Sequence, residues 1–202
     1  MRLWFNPASP FARKVRIVAR ETGQAEKIEE TSIMVSPVNP HADLARENPL
    51  VKIPALSTPE EGTLYDSAVI CEYLDSQHRG TPLFPKAGPE RWRALRLQAL
   101  GDGILEAAVL MRYENAVRPQ ALQWSDWVNG QFGKVRSGLD ALERECAGWG
   151  DRFAIGQITA ACVLGYLDFR FPDEKWRASH PGLEKWFTKV SQRASVTATV
   201  PK

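Results

Sequence analysis

Three short stretches of this 202-residue chain combine side chains and backbone features that chemistry can use: Ser9-Pro10, Ile53-Pro54 and Asp66-Ser67. Serine is a favoured helix N-cap and proline a favoured first helical residue, so Ser9-Pro10 predicts a helix start. A hydroxyl in that place sits beside the positive end of the helix dipole, where negative charge is stabilised. Asp66-Ser67 stands ahead of Val69, Ile70, Tyr73 and Leu74, whose spacing predicts another helix. Ser67 is expected to cap it, and a helix N-terminus with a hydroxyl suits a carboxylate. The interest of Ile53-Pro54 lies in its peptide bond, which is cis in only about 5–6% of X-Pro pairs. On pattern alone it reads as a trans proline opening an edge strand, and both serines read as plain caps.

Other chemistries find less support. Cys71, Cys146 and Cys162 are far apart and form no C-x-x-C pair, which argues against a disulfide framework, a zinc ribbon or a dithiol redox site. His41, His78 and His180 are isolated, so no metal site is expected. Gly101-Asp-Gly103 and Gly148-Trp-Gly150 lack the third glycine of a dinucleotide fingerprint, and neither a P-loop nor a G-x-S-x-G elbow occurs. The chain carries 26 Lys/Arg and 24 Asp/Glu, with net −2 over residues 1–80 and net +4 over 81–202. Neither stretch holds the dense basic stripe of a nucleic-acid binder. No run approaches the roughly 18 apolar residues of a membrane-spanning helix, and Met1 to Phe11 does not read as a secretory signal. The expectation is a cytoplasmic globular protein without nucleic-acid or membrane partners.

The elements that must position these residues differ between the two parts of the chain. Arg2 to Phe5 reads as a strand closed by Asn6-Pro7. Phe11, Val15 and Val18 then mark an amphipathic helix that stops at Gly23. A second strand is expected within Lys27 to Met34, and a short helix around His41 to Arg46. Val51 to Leu56 and Thr63 to Tyr65 flank a Pro/Gly turn and predict a hairpin, followed by the helix after Asp66. The order β-α-β-α-β-β-α implies an α/β unit with a mixed sheet. Three prolines and two glycines in residues 79–89 suggest a linker, placed at 79–88 between domains 1–78 and 89–202. Beyond it, apolar residues recur at three and four: Leu97 to Met111, Val128 to Leu142, Ala160 to Phe171 and Leu183 to Val190. That region is therefore expected to be an all-helical bundle.

Taken in order, these features resemble the glutathione S-transferase family, and the resemblance covers essentially the whole chain. It rests on Asn6-Pro-Ala-Ser9-Pro10-Phe11 followed by Arg13-Lys14-Val15-Arg16, on Asn48-Pro-Leu-Val-Lys-Ile53-Pro54-Ala-Leu56, and on Tyr65-Asp66-Ser67 with Ile70-Cys-Glu-Tyr-Leu74. Pro82-Leu-Phe-Pro85 and the C-terminal run from Arg193 to Pro201 complete it. The resemblance implies a thioredoxin-like N-terminal domain, a helical C-terminal domain and a homodimer. Many members open the core helix of the second domain with a Ser/Thr-x-x-Asp box. Here Thr159-Ala-Ala-Cys162 stands in that place, so the aspartate is missing.

By this resemblance the co-substrate is glutathione, and no metal is involved. Ser9 becomes the group that stabilises the thiolate, as in bacterial members of serine type. A free thiol has a pKa of about 8.5, and lowering it by two units needs roughly 2.7 kcal/mol. A hydrogen bond to a charged group supplies about 1.5–3 kcal/mol and a helix N-terminus about 0.3–1 kcal/mol, so one hydroxyl and one dipole suffice. The bond before Pro54 is expected to be cis, so that Ile53 pairs with the cysteinyl backbone of glutathione. Ser67 would take the γ-glutamyl carboxylate and Asp66 the ammonium, with Lys52 and Arg13 near the glycyl carboxylate. The electrophile pocket is placed between the domains at Phe11, Met111, Arg112 and Asn115, and Asp102 or Glu106 would reach a partner subunit's glutathione. The implied reaction is attack of the thiolate on a small hydrophobic electrophile. Peroxide reduction, isomerisation, dehalogenation, or glutathione binding without catalysis remain open alternatives.

Overall fold

The structure is a computed structural model describing residues 1–202. It divides into two compact units, Met1–Arg91 with Ala194–Lys202, and Trp92–Arg193. The proline-rich stretch 79–88 falls inside the first unit, and the last nine residues join that unit instead of the helical one. Two interactions account for the placement of 79–88. Asp75 accepts the backbone N–H groups of Leu83 and Phe84 at 2.7 and 3.0 Å, and Arg91 pairs with Glu72 at 2.7 Å. One buried carboxylate thus ties the stretch to the helix before it.

The first unit runs β1 (Arg2–Phe5), α1 (Pro10–Glu21), β2 (Glu29–Ser32), α2 (Ala42–Glu47), β3 (Ala55–Thr58), β4 (Gly62–Leu64) and α3 (Ser67–Ser76). The strands form one mixed sheet in the order β2-β1-β3-β4, with β1 parallel to β2 and antiparallel to β3. Alternation along β1 sorts the core: Trp4 joins Ile33, Leu44 and Ala55 in one buried cluster. Leu3 and Phe5 are also buried and, by the two-residue period of a strand, lie on the opposite face. α1 packs closely on α3, burying Val15, Val18, Ile70 and Leu74. At roughly 1.5–3 kcal/mol for each large aliphatic side chain, that apolar seam is a main contributor to the unit's stability.

Glu47, the last residue of α2, holds three strands together. It accepts hydrogen bonds from Arg2 and Trp4 on β1, from Ser57 on β3 and from Thr63 on β4. Burial pushes its carboxyl up, but the bonds from Ser57, Trp4 and Thr63 and the Arg2 guanidinium outweigh that and leave it below its ordinary 4.5. Val51, just ahead of β3, takes φ 50°, a left-handed conformation that costs a β-branched residue roughly 1–2 kcal/mol. Its side chain packs against the Trp4 cluster, which offsets part of that cost. The final helix, α9 (Ala194–Thr197), lies against α1: Arg13 donates to the Val196 carbonyl at 3.2 Å, and Ser195 bonds Glu21.

The second unit is helical: α4 (Gly88–Ala116, entering it at Trp92), α5 (Ser125–Cys146), α6 (Ile155–Arg170), α7 (Trp176–Ser179) and α8 (Pro181–Val190). α6 is buried on all sides from Ile155 to Leu167, as a central helix must be. It begins earlier than its apolar period predicts. Ala154 is its N-cap, Gln157 reaches back to the Ala154 N–H at 3.2 Å, and Thr159 lies inside the helix with its hydroxyl on the Ile155 carbonyl. A cap box at Thr159 is therefore not part of this fold. The close approach of α4 to α6 requires glycine, because a Cβ at Gly156 would stand 2.7 Å from Leu97 Cδ2. On the neighbouring pair, Glu143 of α5 accepts the Gly182 and Leu183 N–H groups at 2.8 Å and so caps α8. No helix in the structure is long and apolar enough to cross a membrane.

Candidate functional site

Strand direction brings the three sequence stretches together. β1 runs toward Ser9, β3 starts just after Ile53-Pro54, and β4 runs toward Asp66-Ser67. Because Trp4 pairs with Ala55 and Leu56 with Leu64 in antiparallel register, all three stretches emerge at the same end of the sheet.

Each stretch is held differently. Ser9 is the N-cap of α1, as predicted, and its Oγ accepts the Ala12 N–H at 3.2 Å. That bond uses an oxygen lone pair, so the hydroxyl proton stays available to donate to an anion. The loop before it is fixed by Asn6, whose side chain accepts the Ala8 N–H and donates to the Ile33 carbonyl, both at 2.9 Å.

The Ile53-Pro54 bond is cis. The ladder to β1 stops at Ala55, which leaves the Ile53 N–H and C=O beyond the paired register. Asn48, almost fully buried, shapes this loop: its side chain donates to the Lys52 carbonyl at 2.9 Å and accepts the Leu50 N–H at 3.0 Å. The Lys52 side chain is exposed.

At α3 the structure exchanges two expected roles. Asp66, not Ser67, is the N-cap, with its carboxylate on the Ala68 N–H at 3.0 Å. Aspartate caps as well as serine does, and here it precedes the first helical residue. Ser67 is that first helical residue; it is 3% exposed, and its hydroxyl makes no hydrogen bond within the chain. A hydroxyl there, at a helix N-terminus, can donate to an acceptor. Tyr65-Asp66 is a second cis bond.

The sheet end therefore offers a donor hydroxyl at one helix N-terminus, a free backbone N–H and C=O, and a second hydroxyl at another helix N-terminus beside a carboxylate. Such a set can hold an extended peptide-like molecule with an anionic end and an anionic sulfur. Residues 8–77 match the family model for the glutathione S-transferase N-terminal domain, and residues 125–189 match that for the C-terminal domain. The chain is 33% identical to the GST-like protein YibF of Escherichia coli K12 over 204 residues, spanning 100% of this chain and 98% of that one. The chain belongs to the glutathione S-transferase family.

Two crystal structures resemble this family member along its whole length. A glutathione transferase family member from Pseudomonas fluorescens Pf-5 with bound glutathione matches at TM-score 0.97 and 49% identity, covering 100% of this chain and 98% of that one. A structure from the same source with bound S-(propanoic acid)-glutathione matches at TM-score 0.93 and 48% identity, covering 100% and 99%. The mixed-sheet thioredoxin-like unit and the helical unit are the architecture of this glutathione S-transferase fold.

Other expected site residues are placed less favourably. Met111 is completely buried in the second unit, among its apolar side chains. Arg13 is also buried, with its guanidinium on the Val196 carbonyl, which removes it from any role at an exposed carboxylate. Phe11 is half-buried on α1. On α4, Arg112 and Asp102 are half-buried, while Asn115 and Glu106 are exposed. Asn6 and Asn48 were visible only as members of a motif. Asparagine beside proline reads as turn chemistry, and nothing local reveals which carbonyl a side-chain amide will find.

Proposed function

We propose that this chain binds glutathione at the common end of β1, β3 and β4 and stabilises its thiolate with Ser9. The observation that carries the reading is the convergence of Ser9, Ile53 and Ser67 at one sheet end, each with hydrogen-bonding capacity left over. Ile53 pairs its free N–H and C=O with the cysteinyl backbone, as a short added strand. Ser67 and the N-terminus of α3 take the γ-glutamyl carboxylate. The Asp66 carboxylate keeps one oxygen for the ammonium while the other caps the helix. The bound neighbours, one with glutathione and one with S-(propanoic acid)-glutathione, support both the ligand and substitution at its sulfur.

The reaction we infer is conjugation. The thiol proton leaves to solvent, and the Ser9 hydroxyl donates to the thiolate. The sulfur then forms a bond to an electrophilic carbon, and a leaving group departs with its electron pair. A hydroxyl in place of a thiol at position 9 cannot form a mixed disulfide, which weighs against thiol–disulfide exchange through this residue. Calorimetry with glutathione tests the reading. Binding in the micromolar to low-millimolar range is expected, weakened about tenfold in Ser67→Ala, as loss of one charge-assisted hydrogen bond implies. No binding at several millimolar would sink it.

A further inference from the structure

The ladder between β1 and β2 stops where the chain turns toward Ser9, and one side chain takes over from it. Phe5 lies opposite Ser32, and pairing runs on by one bond: the Ile33 N–H donates to the Phe5 carbonyl at 2.9 Å. In a parallel ladder, alternate residues of one strand bond the other, so the Ile33 carbonyl should next receive the N–H of residue 7. Residue 7 is proline and has none. The Asn6 side chain supplies the missing donor. Its Nδ2 reaches the Ile33 carbonyl at 2.9 Å and lies 3.2 Å from the Met34 sulfur. Ile33 is buried in the Trp4 cluster, so this carbonyl belongs to a packed part of the sheet.

The other polar groups of Asn6 act on the turn that leads to Ser9. Oδ1 accepts the Ala8 N–H at 2.9 Å, and the backbone carbonyl accepts the Ser9 N–H at 2.9 Å. Asn6-Pro7-Ala8-Ser9 is thus a hydrogen-bonded β-turn with asparagine first and proline second, positions those residues favour. Asn6 grips the end of β2 with its nitrogen and sets the turn with its two oxygens. An amide can do both, because it accepts at oxygen and donates at nitrogen. Aspartate there would set a carboxylate against the Ile33 carbonyl. Ser9 itself is held from two sides, by its N–H on Asn6 and by its Oγ, which accepts the Ala12 N–H at 3.2 Å. The plain account is that the amide closes a loop and does no more. Hydrogen bonds weaken steeply away from their preferred distance and angle, so a donor hydroxyl depends on the turn that places it.

We propose that Asn6 is a positioning residue for the thiolate donor. By tying the Ser9 turn to the Ile33 carbonyl, it holds the Ser9 hydroxyl where that hydroxyl stabilises an anionic sulfur. This rests on the reading of glutathione and Ser9 given above.

A double-mutant cycle tests it, read by ultraviolet titration of the thiolate of glutathione bound to the whole protein. Asn6→Ala should raise the pKa of the bound thiol by about 0.5–1 unit, part of the rise expected for Ser9→Ala. In the Ser9→Ala background the same substitution should move it no further, because the hydroxyl it positions is gone. Asn6→Ser keeps an oxygen for the Ala8 N–H but is too short to reach Ile33, so its shift should fall between those of wild type and Asn6→Ala. It also keeps the test valid if Asn6→Ala unfolds. Glutathione affinity at pH 5, where the thiol is protonated, should stay close to the wild-type value in both asparagine variants. An unmoved thiol pKa in these variants, or equal shifts with and without the Ser9 hydroxyl, overturns the proposal and leaves Asn6 a loop residue. Those results, with glutathione still bound, remove the proposal alone. Wild-type protein that binds no glutathione removes the earlier reading and this one with it.

Discussion

Ser9 shows how one side chain can serve the fold and the proposed chemistry together. Its oxygen accepts a backbone N–H at 3.2 Å, while its proton is left to donate. If that proton stabilises the glutathione thiolate, Ser9→Ala should raise the pKa of the bound thiol by about 1–2 units. It should also remove the cap at a cost of about 1 kcal/mol. Ultraviolet titration of the thiolate in the binary complex reads the first effect, and thermal unfolding of the free protein reads the second. A thiolate titration identical to wild type would restrict Ser9 to capping. Asp66 and Ser67 carry a related lesson. Sequence pattern marks the pair as a helix start but does not say which of the two caps, because either residue type does so equally well. The folded chain assigns the cap to Asp66, so the Ser67 hydroxyl is not spent on capping.

At the scale of elements, Glu47 matters more than its place at the end of a six-residue helix suggests. Its carboxylate joins β1, β3 and β4, the strands whose common end carries the proposed site. Replacement by Gln should destabilise the protein by about 1–2 kcal/mol at neutral pH, because one charged acceptor serving four donors is lost. The folded-state pKa lies below the ordinary 4.5, so the stabilisation is fully present above that value and fades as pH falls through the folded pKa. Denaturant unfolding of wild type and Glu47→Gln at pH 7 and at pH 3 should therefore show a gap that narrows in acid. A gap of constant size would mean that shape, and not charge, accounts for the loss. The helix periods of the second unit were legible because apolar residues recur at three and four over long stretches. The start of α6 was not. A helix buried on every side has no polar face to mark its phase, and alanine gives no cap signal.

The whole molecule adds one connection that no local pattern contains. The last nine residues return to the first unit, where Val196 is buried and its carbonyl receives Arg13. Truncation after Arg193 should therefore destabilise the first unit by about 2–4 kcal/mol, through lost apolar burial and a buried guanidinium left without its carbonyl. Hydrogen exchange should localise the loss to α1 and α3 and leave α6 protected. Uniform loss of protection across both units would show instead that they unfold as one.

Composition and spacing alone determined a two-part chain, an α/β unit followed by helices, because strand and helix periods and proline-rich breaks are local properties. They also determined Ser9, Pro54, Asp66 and Ser67 as points of interest, since capping and X-Pro geometry depend on immediate neighbours. Tertiary structure decided what those points can do. Antiparallel register gathered three distant stretches at one sheet end, and complete burial removed Met111 from the surface. Which groups face one another across sixty residues, and which polar atoms are left without partners, depends on how elements pack. No one-dimensional pattern carries that information.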